Sequence, residues 1–366
     1  MKVHMTNNFG DTATSAASMN QLGPIDGGAL ISLPDPVAVA GINGQPKATS
    51  GTTNKTNSGA SCRTYKFPVR LDPQSDETIE VSGELATRRP LGEDTTIQVL
   101  LAGGSNNGAY WDWPLEPEVY SYVRHATIEG FATLNLDRPG YGKSDHPDPT
   151  KLDFSVQGYV VQQVIEYLKE GALGHKFKRV VLNGHSMGGA VAWRAASGYS
   201  GVDAVIVSGV GHNIADSAMQ AVHGALEPIE THPGYGLGTG WAPGYFIRRL
   251  TPDLPKSAAE WYTAMLQDTV MIAELKAIVS DSKDYSITRN INVPILFALG
   301  QRDLRWCTST LDCATDPAFL LEPDYYKPDA DFSAFIVPNA GHLTNKDPGA
   351  RFFFERVTTW LRERGF

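Results

Sequence analysis

A serine held between glycines, Gly184-His185-Ser186-Met187-Gly188, is the segment of this sequence with the most chemistry in it. A serine hydroxyl is a weak nucleophile until a base takes its proton and a third group orients that base. The G-x-S-x-G spacing supplies the nucleophile if it lies on a sharp strand-to-helix turn, where side chains in place of the glycines would collide with neighbouring backbone. The flanks fit such a turn. Val180-Val181-Leu182 reads as a buried strand, and Ala190-Val191-Ala192-Trp193-Arg194 as the start of a helix. The hydroxyl would then sit at a helix N-terminus, where amides and dipole favour negative charge. The plain alternative is a glycine-rich turn with an idle serine.

Nine histidines compete to be the base. His4, His125, His146 and His175 read as surface or loop residues, while His212, His223 and His232 fall in or near an irregular segment and could touch a substrate. His342 differs. It follows the strand-like Ala334–Val337 through Pro338-Asn339-Ala340-Gly341 and precedes the last helix, on a loop expected to return over the sheet. The orienting acid is expected to be Asp303, just past the strand-like Ile295–Leu299, with Asp312 and Asp216 as rivals. Two backbone amides should hold an oxyanion: Met187, directly after the serine, and Gly104, in Gly103-Gly104-Ser105 after the strand-like Ile97–Ala102. Ser105, Tyr110, Trp111, His185, Trp241, Tyr245 and Trp261 are candidate substrate contacts.

These residues need a scaffold, and the pattern supplies one. Tyr65–Leu71 and Thr78–Leu85 alternate as a leading antiparallel hairpin. Short apolar runs of the buried-strand kind follow at Ile97–Ala102, Phe131–Leu136, Val180–Leu182, Ala204–Val207, Ile295–Leu299 and Ala334–Val337. Amphipathic helices lie between them: Val160, Val161, Val164, Ile165 and Leu168 share one face, and Phe353, Val357, Trp360 and Leu361 another. Asp347-Pro348 reads as N-cap and first residue of the last helix. The expected fold is α/β, an eight-stranded, mostly parallel sheet with helices on both faces. No strand is evident from Asn213 to Asn290, where Pro and Gly separate helical stretches rich in Trp, Tyr and Met. That segment reads as a helical cap after the sixth strand, or else as ordinary core helices. The expected divisions are 1–62, a low-complexity extension in which Leu30–Pro34 could still pack; 63–212 and 291–366, the two parts of the core; and 213–290, the cap.

Composition narrows the function. Of the 366 residues 42% are apolar, enough for a large core, and 31 Lys and Arg against 40 Asp and Glu give a formal charge of −9, which argues against nucleic acid as a partner. No run approaches the ~20 apolar residues of a membrane span, and the sequence as given opens without a secretory signal pattern. Cys307 and Cys313 could form a local bridge or stay reduced. A bridge, with the Ser/Thr-rich leader, would favour an extracellular location. No cysteine–histidine cluster at metal spacing and no dinucleotide fingerprint is present, so no cofactor is implied.

With these residues placed, the chain resembles the α/β-hydrolase fold superfamily over roughly residues 63–366. Asp137-Arg138-Pro139-Gly140-Tyr141-Gly142-Lys143-Ser144 is similar to the superfamily's D-x-x-G-x-G-x-S turn, and the order Ser186, Asp303, His342 is its nucleophile–acid–base order. Asn106–Trp113, with Tyr-Trp-Asp after the oxyanion loop, and Tyr120–Arg124 are similar to a little-described fungal and actinobacterial branch. Ala102-Gly103 replaces the His-Gly of many relatives, and a serine nucleophile points away from the dehalogenase and epoxide-hydrolase branches. The resemblance implies a serine hydrolase with a catalytic triad, acting on an ester or lactone. The aromatic and methionine residues of the cap suggest a moderately large, apolar or aromatic small molecule as substrate. Thioester, amide or carbon–carbon bond hydrolysis, a cyclase reaction and ligand binding without turnover remain open, as does the oligomeric state.

Overall fold

The computed structural model describes residues 4–5, 29–40, 44–49, 53–56, 59–214, 216–224, 226–228, 239–241, 268–307, 309–310 and 312–366, without the side chains of 4–5, 221, 223, 226–228 and 239–241. Its strands are β1 (His4–Met5), β2 (Lys47–Ala48), β3 (Asn54–Lys55), β4 (Ser61–Val69), β5 (Ile79–Thr87), β6 (Thr96–Leu101), β7 (Ala132–Leu136), β8 (Arg179–His185), β9 (Ala204–Ser208), β10 (Leu226–Pro228), β11 (Thr239–Trp241), β12 (Ile295–Gly300) and β13 (Phe332–Val337). The helices that matter to the site are α1 (Phe154–Glu170), α2 (Met187–Ala196), α3 (Asp216–His223), α4 (Ile272–Asp281) and α5 (Ala350–Glu363).

One mixed sheet runs in the order β1-β13-β12-β9-β8-β6-β7-β5-β4-β2, with β3 also on β4. It has eleven strands rather than eight, because three two-residue strands, too short for any sequence pattern to reveal, extend its edges. From β7 to β13 all pairing is parallel, and β4, β5 and β7 pair antiparallel. The parallel strands β6, β9 and β12 are buried at every position, as strands covered on both faces must be. The chain leaves β6 for β7 on one side, then returns to lay β8 on the other. That reversal opens a crevice beyond the carboxyl ends of β6 and β8, the place where open α/β sheets bind ligands.

Three expectations about elements are corrected. The division at residue 62 cuts through β4, and part of the leader packs on the domain. Leu33 is buried, Arg63 donates to the carbonyls of Leu33 and Pro34 at 3.2 and 3.0 Å, and the Tyr65 hydroxyl donates to Pro34 at 2.9 Å. The 213–290 segment does contain strands, since β10 and β11 pair antiparallel; at three residues each they show no alternation. The last helix starts at Ala350 with Gly349 as its N-cap, not at Pro348. Asp347 is engaged elsewhere: its carboxylate accepts the Gly341 amide at 2.6 Å and so braces the loop that carries His342.

Candidate active site

The serine turn forms because two glycines permit it. Strand β8 runs on through Asn183, Gly184 and His185, Ser186 takes φ 52° and ψ −124°, and α2 starts at Met187. A positive φ is strained for a residue with a Cβ and persists only where the surroundings enforce it. Here they do. A Cβ on Gly184 would lie 2.4 Å from the Gly188 carbonyl oxygen, and one on Gly188 2.2 Å from that of Leu101. The Ser186 amide donates to the Ser208 carbonyl at 2.8 Å, anchoring the turn to the end of β9.

Three side chains from three loops meet at this turn. His342 Nε2 lies 3.0 Å from Ser186 Oγ, and His342 Nδ1 lies 3.1 and 3.0 Å from the two oxygens of Asp303. With its proton on Nδ1, donated to Asp303, the imidazole presents a lone pair to the serine hydroxyl. Asp303 and His342 are both buried. Asp303 follows β12 on a loop fixed by the Trp306 indole, which donates to the Gly209 carbonyl at 2.7 Å, and by the Cys307–Cys313 disulfide. The rival acids lie elsewhere: Asp312 accepts the Ala314 amide at 3.0 Å, and Asp216 is an exposed residue of α3. His212 is buried between Glu322 and Thr288, at 2.7 and 3.0 Å, so it is no substrate contact. Among the described residues no helix is long and apolar enough to cross a membrane.

The loop after β6 lies directly over the serine, where a Cβ on Gly103 would come within 3.1 Å of Ser186 Cβ. Its peptides are held from behind. Arg138, fully buried, donates to the carbonyls of Ala102 and Gly103 at 3.0 and 3.1 Å. In a trans peptide the N–H points opposite to the C=O, so fixing the Gly103 carbonyl turns the Gly104 amide away from Arg138. Asn106 Nδ2 holds the Gly104 carbonyl at 2.9 Å. Arg138 is itself paired with the buried Glu274 of α4, which also bonds the Tyr141 hydroxyl and Gln157. The D-x-x-G-x-G-x-S turn showed the sequence of this anchor but not its task.

Gly104, Asn106, Ser186, Met187, Val222, Val270, Arg305, His342 and Leu343 line a cavity of about 30 Å³ at the serine. Of the expected substrate contacts, Tyr110, Trp111, His185 and Ser105 are not in it. Tyr110 and Trp111 are fully buried; Tyr110 stacks on His185 with ring centres 4.6 Å apart, and Trp111 packs edge-on against Tyr122 at 5.3 Å. They are core residues supporting the site from beneath. His185 is also buried, bonded to Ser208 at 3.0 Å, with its ring 5.0 Å from that of His342. Burial, with the neighbouring His342, pushes the His185 pKa well below the ordinary histidine range, so it packs there as a neutral ring. Ser105 is buried, and its carbonyl accepts the Asp268 amide. Tyr245, Trp261 and the side chain of Trp241 lie outside the described residues.

A family model described as the alpha/beta hydrolase family matches residues 98–354, which include all three meeting side chains. The chain belongs to the alpha/beta hydrolase family. Among curated proteins this chain is similar to the AB hydrolase superfamily protein YisY of Bacillus subtilis (strain 168), 29% identical over 92 residues, which are 25% of this chain and 31% of that protein. It thus aligns with about a third of that relative's length. Among solved structures it is similar to E-2-(acetamidomethylene)succinate hydrolase, with TM-score 0.56 and 18% identity, covering 81% of this chain and 98% of that one. A thermophilic esterase from Thermogutta terrifontis superposes with TM-score 0.57 and 17% identity over the same shares. At such identities these likenesses speak for the shared fold.

Proposed function

We propose that this hydrolase cleaves an ester or lactone of a small molecule through an acyl-enzyme on Ser186. The observation that supports this best is the continuous hydrogen-bonded chain Ser186–His342–Asp303, at 3.0 Å and 3.0–3.1 Å, in the crevice between β6 and β8. His342 Nε2 takes the hydroxyl proton as Ser186 Oγ attacks the carbonyl carbon, and Asp303 stabilises the resulting imidazolium without taking its proton. The amides of Gly104 and Met187 bind the oxyanion. The Met187 amide, in the first turn of α2, has no acceptor within the helix. The imidazolium then protonates the departing alcohol. Water, deprotonated by His342, attacks the acyl carbon, and collapse of the second tetrahedral intermediate returns the acid and free Ser186.

Met187, Val222, Val270 and Leu343 in the cavity wall support an apolar body for the substrate. The helical cap expected over 213–290 belongs to this proposal only, since 229–238 and 242–267 lie outside the described residues. Rapid mixing with p-nitrophenyl acetate tests the covalent step: a burst of one p-nitrophenolate per protein, with acetyl mass on the Ser186 peptide, is expected. A burst unchanged in Ser186→Ala would overturn it.

A further inference from the structure

The backbone bonds that hold Asp303 converge on one covalent link. Its carbonyl accepts the amides of Trp306 and Cys307 at 3.1 and 2.9 Å, and the Cys313 sulfur lies 4.0 Å from the same oxygen. Cys307 is bonded to Cys313, six residues on, and the Cys313 amide donates at 2.9 Å to the carbonyl of Gln301, just before the acid. The chain therefore leaves Gln301, passes Asp303, crosses the disulfide and returns to Gln301 as a closed loop. That loop is tied to the one carrying the base. The Gln301 side chain accepts the Asn339 amide at 3.1 Å, and the Arg302 amide donates to the Ala340 carbonyl at 2.8 Å. Among the described residues none between Gly300 and Cys313 belongs to a helix or strand, so no regular ladder aims the Asp303 side chain. Both cysteines are buried.

We propose that the Cys307–Cys313 bridge is a positioning device for the reaction: it fixes the direction in which Asp303 presents its carboxylate to His342, and through His342 it sets the turnover of Ser186. This rests on the hydrolase reading of the same site. A bridge spanning six residues takes less freedom from the unfolded chain than one closing a long loop. Its larger effect is local, on the turn that keeps both Asp303 oxygens 3.0–3.1 Å from His342 Nδ1. Without the bridge the Trp306 indole still holds the turn to the Gly209 carbonyl, so the fold stays while the carboxylate loses its aim.

A double-mutant cycle separates this role from support of the fold. Steady-state kinetics with p-nitrophenyl acetate are measured with and without the bridge (Cys307→Ala/Cys313→Ala), in the wild type and in Asp303→Asn, beside melting curves. In the wild type, loss of the bridge should lower kcat by about ten- to a hundredfold with KM changed less than about twofold, as expected for a group displaced by about 1 Å. In Asp303→Asn, where no carboxylate is left to aim, the same loss should change kcat by less than about twofold. Reduction of both proteins with a phosphine, with free thiols counted by alkylation, repeats the cycle without substituting the cysteines. An equal fall in both backgrounds, no fall in the wild type, or loss of the cooperative melt by both routes overturns the positioning role. The hydrolase reading then still stands if the wild type takes up one fluorophosphonate on Ser186. A wild type that takes up none overturns both.

Discussion

At the scale of single residues the proposed reaction depends on a strained serine held next to a base that is oriented from behind. Asp303 bonds His342 Nδ1 at 3.0 Å, and in the proposed reaction it acts on the serine through that ring. Asp303→Asn keeps the shape but presents an amide that can force the proton onto Nε2, where it faces the serine. The expected result is a fall of about 10⁴-fold in kcat with little change in thermal stability, measured by steady-state kinetics beside a melting curve. A loss below tenfold would mean that Asp303 does not set the tautomer. That Ser186, Asp303 and His342 each follow a strand was legible in the sequence, because each of those strands carries a clear apolar run. Tyr110 and Trp111 were misjudged as substrate contacts for an equally physical reason. A Tyr-Trp pair on a loop can face a cavity or the core, and spacing cannot separate the two where no periodic element sets the direction.

At the scale of elements, the loop after β6, which carries the proposed oxyanion donor Gly104, is held by a buried ion pair that links two distant stretches of chain. Arg138 from the turn after β7 holds the Ala102 and Gly103 carbonyls, and Glu274 from α4 holds Arg138. Arg138→Met would release the loop and also leave Glu274 buried without its cation, at a cost of about 3–5 kcal/mol. The two effects separate in Arg138→Met/Glu274→Met, which should regain most of the lost melting temperature while kcat stays about 10- to 100-fold down, the larger figure being that of one lost oxyanion donor. Recovery of kcat along with stability would show the pair to be structural alone. No sequence pattern joins positions 138 and 274, so this support was invisible until the fold brought them together. The eight longer strands, by contrast, were read to within a few residues, and the parallel ones most clearly, since strands covered on both faces are largely apolar runs.

At the scale of the whole molecule, a second cavity of about 470 Å³ is lined by Glu84, Asp112, Asp137 and Asp268, with Lys143 and His146. Burial raises the pKa values of Glu84, Asp137 and Asp268, and Asp112 adds to the rise at Glu84. These groups ionise less readily folded than unfolded. Their contribution is therefore fully present below the ordinary carboxylate range and is lost as pH rises through their elevated values. Glu84→Gln, which cannot ionise, should raise the melting temperature at pH 7 and change it less at pH 4; a decrease at pH 7 would contradict this. The same surroundings push the buried Cys62 thiol up to about 12.

The proposed function depends most directly on Ser186 being an activated nucleophile. Intact-mass analysis after treatment with a small fluorophosphonate, on wild type and Ser186→Ala, measures that one property. One adduct per wild-type chain and none on the folded variant is the predicted result. A folded wild type that takes up no probe, or a Ser186→Ala protein labelled as fully as the wild type, would contradict it.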